Sequence, residues 1–486
     1  MDMLKGGAET DVDCGGGMIS GCPGCANGGA CKLNADCASG ICRMENCVGS
    51  YVWGKHFAAP QGMAVFPNSV LPGRVVVDKS NNILMSAGFS DFADFGAGAV
   101  GATGKGGATL TKYDPTGALT WSVVVGNTYP SASPSGFDAD ASGNTVVSGS
   151  FTGSVFFDNV TLTSLGASDL FVAKLDAFGK TLWAKRFGDA KDQHGTDARF
   201  DAQGNVVVSG FFYGTIDLGG GVLTSAGGAD IFVAKFDPNG MPLWSKRFGS
   251  SSDEYVSMVL DAAGDVVLSV DVQNAVDFGG VAQSPYSGGH DVAVAKLDSS
   301  GAHLWTRFFG SGLVTDEYGR AVVDKSGNVV LIISGDPSNG PPAPIDLGGG
   351  PITNAGVLGK FDPTGMYLWS EGIGAFGSVT ADAAGNLIMT GPCAGNVDFG
   401  SGVLMCPGAS GADVFVAKFD SAGKSTWSRR FGDVQNSQDG LGIGVLEGTG
   451  DIALLGQFRG MLDFGGGPIP TATSQDDAFL ARLRVP

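Results

Sequence analysis

The stretch DIFVAKFDPNGMPLWSKRFG at residues 230–249 is close to a copy of DLFVAKLDAFGKTLWAKRFG at residues 169–188. Each reads as an apolar run ending at an Asp, a short turn, and a second run built around a Trp. Runs rich in Val, Ile, Phe and Trp, bounded by Asp, Pro, Asn and Gly, are the signature of two strands joined by a tight turn. Upstream of the 230–249 copy, GTDARFD, the turn AQG and NVVVSGFFYG supply two more runs, so one unit holds four short strands.

All seven tryptophans of the 486-residue chain occupy this one position: Trp53, Trp121, Trp183, Trp244, Trp305, Trp369 and Trp427. Their spacing ranges only from 68 residues (53 to 121) to 58 (369 to 427). A recurring unit of about 60 residues with four antiparallel strands is a propeller blade, and seven units make a seven-bladed, all-β propeller. The bulk composition agrees. There are 81 glycines, about twice the usual 7%, while 43% of the residues are hydrophobic, too many for a disordered chain.

The turns carry their own chemistry. Asp140-Ala-Ser-Gly-Asn144 recurs at Asp201–Asn205, Asp324–Asn328 and Asp382–Asn386, and the second hairpin uses DPTG at 114 and 362, DPNG at 237, DSSG at 298 and DSAG at 420. An Asp caps the turn and a Gly takes its positive φ. Each turn offers few acidic ligands, so Ca²⁺ is an open reading and no other cofactor is expected.

The repeat resembles the bacterial beta-propeller repeat, in which a strand ending in Asp, an xxGN turn, a second strand ending in Gly and a FVAKLD strand follow in order. The resemblance covers residues 50–486. GATLTKYD in the first copy and GVLGKFD in the fifth depart from the Asp-hydrophobic opening of the third strand. Lys174, Lys235, Lys296 and Lys418 recur within VAK, which points to blade packing rather than to a basic ring. The repeat also predicts how the circle closes. SYVWGKHFA at 50–58 is a fourth strand with nothing before it, DAFLARLRVP at 477–486 is a third strand with nothing after it, and the two should pair in the last blade.

Seven of the nine cysteines lie between residues 14 and 47: Cys14, Cys22, Cys25, Cys31, Cys37, Cys42 and Cys47. That density in a segment too short for a core points to disulfides in an oxidising compartment. Cys22 and Cys25 form a CxxC, but a second close pair at zinc-site spacing is missing. Residues 9–16 (ETDVDCGG), the CxxC and DCASGIC at 36–42 resemble the cysteine-rich modules of secreted and surface proteins from myxobacteria and their relatives. The resemblance implies a disulfide module over 1–49 that begins inside a longer precursor, with the odd cysteine otherwise left free or intermolecular. Glu9, Asp11 and Asp13 are possible oxygen ligands for Ca²⁺ or simply solvated acids. Cys393 and Cys406 lie in one connecting segment of the sixth unit, and we expect them to be bonded to each other.

The formal charge of −19 repels a phosphate backbone, so nucleic acid is not an expected partner. No apolar run is long enough to span a membrane, and MDMLKGGAETD lacks the apolar core of a secretory signal. His56, His194, His290 and His303 fall at different points of the repeat without spaced metal-ligand partners. No G-x-S-x-G, H-E-x-x-H or P-loop pattern is present.

A specific site should lie where the copies disagree, and they disagree most in the loops between one unit's fourth strand and the next unit's first. These loops, GDAKDQHGTDA, GSSSDEYVS, GSGLVTDEYGR and GDVQNSQDGLG, should crown one face of the disc. They carry Asp192, His194, Asp253, Glu254, Tyr255, Asp316, Glu317, Tyr318 and Asp439. Acids and tyrosines there suit cationic or carbohydrate ligands. The expected function is binding, by a secreted or surface-displayed disc, of an extracellular or envelope protein or glycan. A polysaccharide lyase or hydrolase, and a self-assembling structural subunit, are the alternatives.

Overall fold

A computed structural model describes residues 51–58, 70–101, 106–126, 132–280, 290–310, 317–335, 344–354, 356–406, 411–433, 436–470 and 476–485, together with the two-residue strands Cys42–Arg43 and Asn46–Cys47. These last two strands pair so that Cys42 is opposite Cys47. The rest of the expected cysteine-rich module, with Cys14, Cys22, Cys25, Cys31 and Cys37, lies outside the described residues, as does Asp316.

Seven four-stranded antiparallel sheets form the blades of a propeller, each ordered from inside to outside as its strands occur in the repeat. In blade 3 the strands are Gln193–Phe200, Val206–Phe212, Asp230–Phe236 and Pro242–Phe248. Blade 4 has Tyr255–Leu260, Val266–Val272, Asp291–Leu297 and His303–Phe309. The innermost strands ring an axial cavity of about 730 Å³.

The near-continuous apolar character of the third strands follows from their position. A central strand of a blade has a neighbouring blade on each face, so both side-chain faces are buried. In blade 3, Ile231 and Val233 pack into blade 4, while Phe232 and Ala234 pack back against blade 2. Seven such apolar cores lie between consecutive blades, including one between blades 7 and 1. The divergent openings GATLTKYD and GVLGKFD still form buried third strands, Gly107–Tyr113 and Gly356–Phe361.

The invariant features of the repeat are explained by one joint between blades. Trp244 Nε1 donates to the carbonyl of Ser299 in the next blade's second hairpin turn at 3.3 Å, and Lys235 Nζ donates to the same oxygen at 3.1 Å. Trp183 and Lys174 converge on Pro238 O in the same way, each at 3.2 Å, and Trp369 and Lys360 converge on Ser421 O. Under each indole lies the turn glycine. A Cβ on Gly240, whose φ is +80°, would come within 3.0 Å of the Trp183 ring. The lysines also meet the turn aspartates of their own blade. Lys235 Nζ is 2.9 Å from Asp201, Lys360 is 2.8 Å from Asp324, and Lys112 is 2.8 Å from Asp78. Of the VAK lysines, Lys235 and Lys296, the latter 2.8 Å from Asp261, are therefore buried ion-pair partners.

The circle closes inside blade 7, where Tyr51–Phe57 pairs antiparallel with Asp477–Arg484 as the outermost strand of the sheet. Trp53 is opposite Arg482, and His56 is opposite Phe479. Arg482 stands where other blades have the VAK lysine and pairs with Asp451 at 2.7 Å.

Among the described residues, small two-stranded ribbons decorate the connections between second and third strands in six of the blades. In blade 6 the ribbon of Asn396–Asp398 and Val403–Met405 is tied by a disulfide between Cys393 and Cys406, whose Cα atoms are 5.8 Å apart. Among the described residues no helix is long and apolar enough to cross a membrane.

Candidate functional site

The crown is built from the loops entering the first strands and from the connections between second and third strands. Its regular parts are structural. Asp192 Oδ1 accepts from Ser168 N at 3.0 Å, and Asp253 Oδ1 accepts from Ala229 N at 2.7 Å. These acids fasten the entry loop of one blade to the connection of the blade before. The residue that follows each is turned inward. Gln193, fully buried, receives Asp189 N at 3.1 Å and donates to Asp189 and to Tyr213 O. Gln438 does the equivalent work with Asp433 N and Arg459 O.

Glu254 stands at this glutamine position, which corrects its assignment to the exposed rim. It is 0% exposed, and its carboxylate is taken up by Ser250, whose N donates at 3.0 Å and whose hydroxyl also bonds to it. Burial pushes its pKa up to about 7, against the Ser250 hydrogen bonds, which lower it.

One register further on, the side chains point outward and the copies diverge. His194 stacks on Phe211 with ring centroids 4.7 Å apart, and Phe211 meets the edge of Tyr255 at 5.0 Å. Tyr255 is 41% exposed. The Tyr213 hydroxyl lies near Asp253 and Tyr255, and its pKa is pushed up to about 12, first by desolvation and then by the Asp253 charge. Burial lowers the His194 pKa, with Asp192 opposing. The result is an aromatic ladder across blades 3 and 4.

On the blade 4 side, Tyr255 is the register partner of Asp271, so the two side chains share a face of the sheet. Asp271 Oδ1 lies 2.6 Å from His290 Nδ1, while His290 Nε2 contacts the amide nitrogen of Gln273. The Asp271 carboxylate thus orients the imidazole from the Nδ1 side, with Gln273 on the Nε2 side.

Asp439 occupies the same register in blade 7, opposite Gln457. It stands far around the crown from the ladder, half-buried, and desolvation raises its pKa to about 6. Glu317 and Tyr318 lie in the first strand of blade 5, Glu317–Val323, but their side chains fall outside the described residues. Among the described residues no three His, Cys, Asp or Glu side chains gather as a metal ion would require. The turn carboxylates are engaged within their own turns: Asp140 Oδ1 accepts from Ser142 N and Asn144 N, and Oδ2 accepts from the Asn144 side chain.

Sequence reasoning found His194 and Tyr255 but missed Phe211, Tyr213, Asp271 and the role of His290. A signal was present. Phe211 aligns with Ser150 of blade 2 and Asp271 of blade 4, so the second strands diverge at this register as the entry loops do.

No protein-family model matches the chain. It is 29% identical over 174 residues to the regulatory protein FlaEY of Caulobacter vibrioides, covering 34% of this chain and 18% of that protein. It is 23% identical over 301 residues to the uncharacterized WD repeat-containing protein L264 of Acanthamoeba polyphaga mimivirus, covering 54% of this chain and 18% of that one. The chain thus matches less than a fifth of the length of either relative. Among solved structures, a PL25 ulvan lyase superposes with a TM-score of 0.43 at 12% identity, over 84% of this chain and 92% of the lyase. The Hadza microbial sialidase Hz136 superposes with a TM-score of 0.38 at 7% identity, over 90% of this chain and 93% of the sialidase. The chain is an all-β seven-bladed propeller, and these distant likenesses do not assign it a function.

Proposed function

We propose that this propeller is a glycan-binding disc whose recognition surface is the crown over blades 3 and 4. The observation that carries this reading is the His194–Phe211–Tyr255 ladder. It places the exposed Tyr255 ring and two half-buried rings beside a tyrosine hydroxyl and an acidic acceptor. Pyranose rings offer apolar C–H faces for stacking and hydroxyls for hydrogen bonding, which is the complementary chemistry. Secretion or surface display is supported by the Cys393–Cys406 disulfide. The test is a glycan array probed with the wild type and with His194→Ala. A wild type that selects no saccharide removes the reading, and so does a variant that keeps the wild-type selection.

One observation favours a carbohydrate-acting enzyme as a second reading. The Asp271–His290 pair has the orientation of a general base, on the same face of the sheet as the Tyr255 hydroxyl. A histidine base and a tyrosine acid could cleave a polysaccharide once Gln273 releases Nε2. Incubation with soluble polysaccharides separates the two readings. New chain ends that vanish with His290→Ala support turnover, whereas binding without chain cleavage supports the disc.

A further inference from the structure

The innermost strand of each blade sends its side chains into the axial channel. Arg74, Asp197 and Arg320 occupy the same register there, counted back from the turn aspartates Asp78, Asp201 and Asp324, in blades 1, 3 and 5. Arg199 and Asp138 lie a layer deeper. In a chain of net charge −19, three guanidiniums have thus been gathered into one cavity.

Their partners are unequally shared. Asp197 accepts from the Arg74 guanidinium, from Arg199 Nη2 at 3.0 Å and from Met258 N at 3.0 Å. Arg199 is further tied to Phe137 O at 3.0 Å. Arg320 has no hydrogen bond or ion pair among the described residues and is open to the channel; desolvation by the surrounding strands lowers its pKa, the Arg74 charge adds to this and the Asp197 charge opposes it. Asp138, half-buried and with desolvation raising its pKa to about 6, accepts from Phe200 N through Oδ2 at 3.0 Å. Asp197 and Asp138 thus face Arg74, Arg199 and Arg320, while the two further carboxylates of the lining are engaged elsewhere, Asp382 within its own turn and Glu447 with Lys325 at 3.1 Å. Asp197 is already shared by Arg74 and Arg199, so Arg320 is left without a carboxylate bonded to it, and an anion entering the channel would supply one.

We propose that the axial channel is a binding site for an oxyanionic group, a carboxylate or a sulfate, with Arg320 as its primary ligand and Arg74 opposite. A guanidinium presents its N–H donors as a planar fork that matches such oxyanions. A cavity of about 730 Å³ is within the usual range of small-molecule sites, roughly 300–1,000 Å³, so the oxyanion can be free or carried on a sugar. The site is lined by residues other than those of the crown ladder.

The experiment is calorimetric titration of the full chain with sodium sulfate and with sodium galacturonate, each against sodium chloride at equal ionic strength. The expected result is saturable binding of one equivalent of at least one probe. Binding should weaken about tenfold or more in Arg320→Gln, as befits loss of a charge-assisted contact, and persist in Leu182→Ala, an exposed position on the outermost strand of blade 2, Thr181–Phe187. Sulfate and galacturonate both binding indicates a free-oxyanion site, and galacturonate alone indicates a sugar carboxylate. Ser257→Glu, which puts a competing carboxylate in the same layer of the channel, should also abolish binding and keeps the test decisive should Arg320→Gln fold poorly. Absence of saturable heat from both probes overturns the proposal, as does wild-type affinity in Arg320→Gln or Ser257→Glu.

Discussion

Trp53 and Arg482, from opposite ends of the chain, are register partners in blade 7 and donate to one carbonyl oxygen, that of Pro115 in blade 1, at 3.0 and 2.6 Å. The joint that fastens each blade to the next is thus also the joint that closes the ring. Deleting residues 51–57 should unfold the propeller cooperatively rather than fray one blade, because it exposes the core between blades 7 and 1. The milder Trp53→Phe should cost about 0.5–1.5 kcal/mol for the lost hydrogen bond. Thermal unfolding followed by near-UV and far-UV circular dichroism checks both, and a deletion that melts at the wild-type temperature contradicts the closure.

Glu254 gives the propeller a pH-dependent weakness. Its folded pKa of about 7 lies above its ordinary value of 4.5. The folded state therefore holds the proton more tightly than the unfolded one, and the stability this gives is present below pH 4.5 and lost as pH rises through 7. Glu254→Gln installs the residue that blades 3 and 7 carry there. It should stabilise by on the order of 1–3 kcal/mol above pH 7 and by nothing below pH 4.5. Denaturant titrations at the two ends of that range measure the difference, and equal gains at both would count against a buried, proton-holding Glu254.

Lys235 is nearly buried between Asp201 at 2.9 Å and Ser299 O at 3.1 Å. Lys235→Met leaves the Asp201 carboxylate buried without its cation, which should cost about 3–5 kcal/mol. Lys235→Arg should recover most of this loss, since Arg482 fills the equivalent place in blade 7. Melting temperatures of the two variants decide between an ion-pair joint and a mere filler of space.

The Cys393–Cys406 bond closes a loop with a sequence separation of 13. Replacing both by Ser should lower stability by about 3 kcal/mol on the loop-entropy account and should loosen the 396–405 ribbon first. Peptide mapping of a non-reducing digest checks the bond, and hydrogen exchange of the double variant checks the location.

The repeated half of the design was legible because it is local: the DPNG turn, the Trp and the VAK lysine recur at fixed spacing, and each copy states the same contacts. Blade number and the closing strand pair followed from counting tryptophans. The site was only partly legible. Glu254 looked like a rim acid because a single sequence does not mark the register at which Gln193 and Gln438 turn inward. Phe211 and Tyr255 meet across a blade boundary, and the channel arginines converge from blades 1, 3 and 5. Contacts of that kind leave no spacing in the chain. The expectation of a disulfide module over 1–49 falls almost wholly outside the described residues.

The glycan reading is tested most directly at Tyr255, which is 41% exposed and ends the ladder begun by His194. The measurement is the affinity of the wild type and of Tyr255→Ala for the oligosaccharide that the wild type selects on an array, with both melting temperatures recorded. We predict that Tyr255→Ala weakens binding by about tenfold or more, the loss of one stacked aromatic contact and its hydroxyl, while the melting temperature stays within about 2 °C of wild type, as for a surface substitution. Equal affinity in the two proteins would contradict the account and move the recognition surface away from blades 3 and 4.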